Sequence, residues 1–100
     1  MAPDAIDESK VRAARDYLAR SFVNCRVHDF YDSDTSTHVF AIEGVAPHRV
    51  VISRQFLDAH APQEIEDTMT AWRVAEKLGR SGAQTITVTN EGATLEGQEG

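Results

Sequence analysis

The residues best suited to chemistry are the acids of Asp32-Ser33-Asp34-Thr35. Two carboxylates one residue apart, just after a strand, suit phosphoryl transfer. One attacks phosphorus, the other moves the proton, and further acids hold Mg²⁺. That chemistry needs a strand leading into a helical crossover. Here the run lies between two stretches of β-branched and aromatic character, Cys25–Tyr31 and His38–Glu43. Asp, Ser and Thr side chains bond nearby backbone in tight turns, so the run reads as a hairpin turn.

The same stretch fills part of a calcium loop. Asp32, Asp34, Ser36 and Glu43 fall at its first, third, fifth and twelfth positions, and Val39 at the apolar eighth. The sixth position holds Thr37 where the sharp turn wants glycine, and the flanks are strand-like. No calcium site is expected. The four histidines, His28, His38, His48 and His60, form no close pair of the kind zinc requires. His28 and His38 lie on strands expected to pair, so their convergence on a metal turns on register, which the sequence leaves open. Cys25 is the sole cysteine. Three residues from His28 on one strand, it points to the opposite face, so no thiol dyad forms there. It reads as a structural, buried cysteine. Gly79-x-x-Gly82 ends a helix and does not begin one, so it offers no phosphate cradle. No catalytic, cofactor-binding or metal-binding residue is assigned.

The elements that would carry these residues follow from periodicity. Val11, Ala14, Leu18 and Phe22 recur at helical spacing and predict a helix over Glu8–Phe22. Three strands follow: Cys25–Tyr31, His38–Glu43 and Arg49–Ser53. Ser53 is placed to cap a short helical turn over Arg54–His60. Pro62 suits the first position of a second helix running to Arg80, with Gly79 and Gly82 as stop signals. Gln84–Thr89 alternates, with Ile86 and Val88 inward and Thr85, Thr87 and Thr89 outward. The expectation is a two-layer α+β domain: helix, three-stranded antiparallel meander, helix, then a further edge strand (α-β-β-β-α-β). Residues 9–90 form the domain, between acidic flexible tails at 1–8 and 91–100.

The second helix carries an unusually wide apolar arc, built from Ile65, Thr68, Met69, Ala71, Trp72, Val74, Ala75 and Leu78. So wide an arc needs cover on two sides. A wedge between the sheet and the first helix supplies it, and so would a second protomer.

The chain has 100 residues, 41% hydrophobic and 26% charged, and is ordinary for one globular domain. Its formal net charge is −6. Asp4, Asp7, Glu8, Glu91, Glu96 and Glu99 account for that excess, leaving ten acidic and ten basic residues between Lys10 and Asn90. An acidic fringe on a neutral body disfavours nonspecific phosphate binding. The first residues carry no basic start or apolar run, and no stretch is long enough to span a bilayer, so a cytoplasmic location is expected.

The order of helix, three strands and helix is similar to that of the double-stranded RNA-binding domain. That family places lysines where its second helix begins. This chain has Gln63-Glu64-Ile65-Glu66-Asp67 there, which repels phosphate, and the family is not adopted.

The reading that results is a small, bacterial-type cytosolic accessory protein acting by protein–protein binding, self-association included. Trp72, Met69, Thr85, Thr87 and Thr89 are its expected contact residues. The alternative is a nucleic-acid-binding sheet face carrying Arg26, His28, Phe30, His38 and Phe40, where aromatic and basic residues interleave. An enzyme ranks third, since no acid–base pair in a cleft is visible.

Overall fold

Residues 8–44, 48–81 and 85–96 are described in a computed structural model. The first helix, α1, spans Glu8–Ser21 and buries Val11, Ala14, Tyr17 and Leu18 along one stripe. The meander follows as β1 (Arg26–Asp32), β2 (Thr37–Glu43) and β3 (His48–Ser53), each strand antiparallel to the one before. Between β1 and β2 the acidic run is a turn. Asp32 Oδ1 accepts the Asp34 N–H at 3.0 Å, and Ser36 takes a left-handed conformation at φ 55°. The carboxylate that resembled a nucleophile is thus a turn former. After β2, Gly44 is held in close approach: a Cβ there would lie 2.5 Å from Cys25 Sγ.

Helix α2 (Arg54–Ala59) starts where Ser53 Oγ accepts the Phe56 N–H at 3.1 Å. Helix α3 (Pro62–Ala71) has Pro62 at its start, and Glu64 reaches back to accept the Ala61 N–H at 2.8 Å. The second helix of the sequence reading does not run on to Arg80. It breaks at Trp72–Arg73, where Arg73 adopts φ 54°, and restarts as α4 (Val74–Ser81). Gly79 lies inside α4 and stops nothing, while Gly82 falls outside the described residues.

This break accounts for the wide apolar arc. Ile65 and Met69 of α3 and Val74 and Leu78 of α4 are all fully buried, on two separate helices. Contacts between α1 and α3, and between α4 and the last two strands, β4 (Thr85–Thr89) and β5 (Gly92–Glu96), supply cover within the chain. Of the rest of the arc, Thr68, Trp72 and Ala75 are half-buried and Ala71 is exposed.

Among the described residues the sheet has five strands in the order β1-β2-β3-β4-β5, with β3 and β4 parallel. A parallel pair requires a long crossover, and α2, α3 and α4 provide it. The expected α+β order of helix, antiparallel meander, helical segment and further strand is present, with a difference at its end. Strand β4 is interior, and the edge position belongs to β5, which falls where a flexible tail was expected. Gly92, at φ 134°, lets the chain reverse directly after Asn90-Glu91, and Ala93 and Leu95 then pack against the core at strand spacing. The four residues from 97 to 100, like 1–7, lie outside the described residues.

The buried cluster joins all four helices to one face of the sheet, through Phe40, Ile42, Val50, Ile52, Ile86 and Val88. No helix of the described residues is long and apolar enough to cross a membrane.

Candidate functional site

Strand alternation divides the expected site residues between two faces. In β1, Arg26, His28 and Phe30 face away from the helices, and Val27, Asp29 and Tyr31 face toward them. Register then fixes β2. His38 lies opposite Tyr31 and Phe40 opposite Asp29, so both belong to the helix-covered face. Phe40 is fully buried and His38 is 8% exposed. The proposed nucleic-acid face is therefore split. Arg26, His28 and Phe30 remain together in the open, while His38 and Phe40 lie on the far side of the sheet. The same geometry keeps His28 and His38 apart. Among the described residues, no group of three or more His, Cys, Asp or Glu is placed to hold a metal ion.

The expected contact residues are also redistributed. Met69 is fully buried, and Trp72 is half-buried with its ring 5.8 Å from that of Phe56. Both are interior packing. Thr85, Thr87 and Thr89 do face away from the helices, but from an interior strand whose backbone is paired on each side.

The structure does assemble one acid–base cluster that the sequence concealed. His38 Nε2–H donates to Asp29 Oδ2 at 2.8 Å, and Arg15 Nε lies 3.2 Å from Asp29 Oδ1. Asp29 comes from β1, His38 from β2 and Arg15 from α1, so the group ties a helix to two strands. Register was the missing signal: only the pairing of Asp29 with Phe40 and of Tyr31 with His38 makes the two side chains neighbours. His38 Nδ1 is buried and has no hydrogen-bond partner. That ring nitrogen is closed off from solvent, and what the cluster does in this arrangement is tie α1 to β1 and β2. Shallow surface grooves among the described residues lie elsewhere. One is lined by Tyr17, Ser21, Thr70 and Arg73, another by Cys25, Arg26, Glu43 and Gly44, and neither reaches the pair.

What remains as a site is the open face. Its central register is a single row crossing all five strands: Phe30 opposite Val39, Val39 opposite Val51, Val51 opposite Thr87, Thr87 opposite Thr94. Phe30 is 52% exposed at one end of this row. Val39 is buried, yet it faces away from the helices and is no member of the core cluster. On one side of the row stand His28, Ala41, Arg49 and Thr85; on the other stand Asp32, Thr37 and Ser53. At the strand ends Arg26 lies opposite Glu43, and His28 Nε2 is 3.4 Å from Glu43 Oε1. Acids thus offset the bases on this face. No described element packs on it.

Comparison with protein families, curated proteins and solved structures finds no match to this chain.

Proposed function

We propose that this chain acts by binding protein, and that the open face of its sheet is the binding surface. One observation carries the reading. Phe30, 52% exposed, heads an apolar run with Val39 and Val51 across β1, β2 and β3, on a face against which no helix of the described residues packs. A large exposed apolar side chain in a contiguous row with a polar surround is the usual chemistry of a protein contact.

Two features weigh against nucleic acid. Arg26 and Arg49 share the face with Glu43 and Asp32, and the chain carries a net charge of −6. Affinity for phosphate comes from an uncompensated basic surface, which this is not. Catalysis has no support at the Asp29–His38 pair, since the free ring nitrogen is shut in. A cytosolic accessory role remains part of the proposal; the lone Cys25, which precludes an internal disulfide, is in keeping with it.

The test is photocrosslinking in cells, with a photoreactive phenylalanine analogue at position 30 or, as control, at the exposed Asp16 on the helical side. Discrete protein adducts from position 30 and none from position 16 are expected. Nuclease-sensitive adducts would replace this reading with the nucleic-acid one. No adducts, or equal adducts from both positions, would sink it.

A further inference from the structure

We infer that the occupant of the open face is a second copy of this chain, packed sheet to sheet about a two-fold axis along the row from Phe30 to Thr94. The inference rests on the binding reading above and adds the partner's identity. An axis along the row lays each of its residues over its own copy: Phe30 over Phe30, Val51 over Val51. Apolar surface meets apolar surface at Phe30 and Val51, and threonine meets threonine at positions 87 and 94, the self-matching that an isologous contact requires.

Charge selects this axis over its rival. Along β1, His28 and Asp32 lie at equal distances on either side of Phe30; along β3, Arg49 and Ser53 flank Val51 in the same way. A two-fold along the row exchanges the two sides. His28 then lies over Asp32 of the second copy, and Arg49 over Ser53 of the second copy. The perpendicular arrangement has its axis parallel to the strands, through the central strand β3. That one places Arg49 over Arg49 and Phe30 over Thr94, opposing like charges and pairing the most exposed apolar ring with a hydroxyl. Like charges brought face to face in an interface are strongly unfavourable, and the row axis avoids them.

Size sets the expected strength. Strands about 4.8 Å apart with a rise of about 3.3 Å per residue give five strands a face on the order of 20 Å by 20 Å. That is small beside the roughly 800 Å² per partner of a standard interface. The contact is therefore expected to be weak, with dimer and monomer in exchange.

The experiment uses the full chain. Sedimentation velocity from low micromolar to submillimolar concentration is run on the wild type and on Phe30→Asp, with circular dichroism to confirm folding. In a Cys25→Ser background, a single cysteine is placed by Phe30→Cys or by Thr87→Cys and treated with a short bis-maleimide. The expected result is a concentration-dependent dimer, weakened about tenfold or more by F30D, with self-crosslinks at both positions. Should F30D unfold, Thr87→Arg takes its place, and the same weakening is expected. A dimer that crosslinks at 30 but not at 87 would mean edge pairing through β1 and overturn the inference. So would a monomer at every concentration. If that monomer still gives protein adducts from position 30 in cells, the binding reading stands and only the second copy is wrong.

Discussion

The hydroxyl of Tyr17, on α1, accepts the backbone N–H of Ala75 at 3.2 Å. Ala75 is the second residue of α4, so a side chain from a distant helix fills the capping role that a local Ser, Thr, Asp or Asn normally takes. The residue before α4 is Arg73, which lacks a suitable oxygen and sits at φ 54°. Its own N–H is bonded to Thr70, and its carbonyl accepts the Lys77 N–H at 2.8 Å. The break between α3 and α4 is therefore held from both sides and from above.

Tyr17→Phe keeps the ring in place and removes only the acceptor. We expect a loss of about 1 kcal/mol, with hydrogen exchange accelerated at the start of α4 and unchanged in β2. Unaltered exchange at residues 75–77 would show that Tyr17 is no cap.

Arg73→Gly should act in the opposite direction. A left-handed conformation costs a residue with a Cβ on the order of 1–2 kcal/mol, and glycine returns some of that through greater freedom in the unfolded chain. A net gain of about 0.5–1 kcal/mol in urea unfolding is expected. A loss would mean that the Arg73 side chain makes a contact worth more than the strain.

Core and surface should separate cleanly at two residues that the sequence could not tell apart. Met69→Ala empties a fully buried position and should cost about 2–5 kcal/mol. Phe30→Ser, on the open face, should change monomer stability by less than about 1 kcal/mol. Equal costs would contradict the division of the sheet into a covered and an open face.

Asp29→Ala should destabilise by about 1–3 kcal/mol. His38, with its side chain only 10% exposed, would be left with both ring nitrogens unsatisfied. Arg15, 39% exposed, can turn to water and should contribute little of this. Asp29→Asn retains an acceptor and should fall between the two. A midpoint for Asp29→Ala within error of the wild type would remove the structural role of the cluster.

Local signals in the sequence carried much of the fold. Ser53 before Arg54 and Pro62 before an acidic turn marked two helix starts, and both helices begin there: Ser53 caps α2, and Pro62 is the first residue of α3. The alternation of Ile86 and Val88 with threonines set their faces correctly. Nonlocal facts were beyond it. The break at Trp72–Arg73 is imposed by packing on α1 and the sheet, with no Gly or Pro to announce it. Strand β5 was obscured by Glu91, Gly92 and Glu96, poor strand formers that bracket the two core contacts Ala93 and Leu95. For the site, Phe30 was named from its type, but its row required the register of all four strand pairs. His38 and Phe40 were assigned to the wrong face because alternation continues across a hairpin only once the turn length is known.

Parallel pairing of β3 with β4 also governs the order in which the chain can assemble. The meander and the β4–β5 hairpin each close through contacts near in sequence, and both can form early. Joining them brings Arg49 to Thr85 across the whole helical segment, the slowest kind of closure. Substitutions at Val50 and Val88, on either side of that seam, should therefore slow folding. A substitution at Val27, on the outer strand, should chiefly hasten unfolding. The seam divides the molecule into two halves that become a single cooperative unit only when it closes.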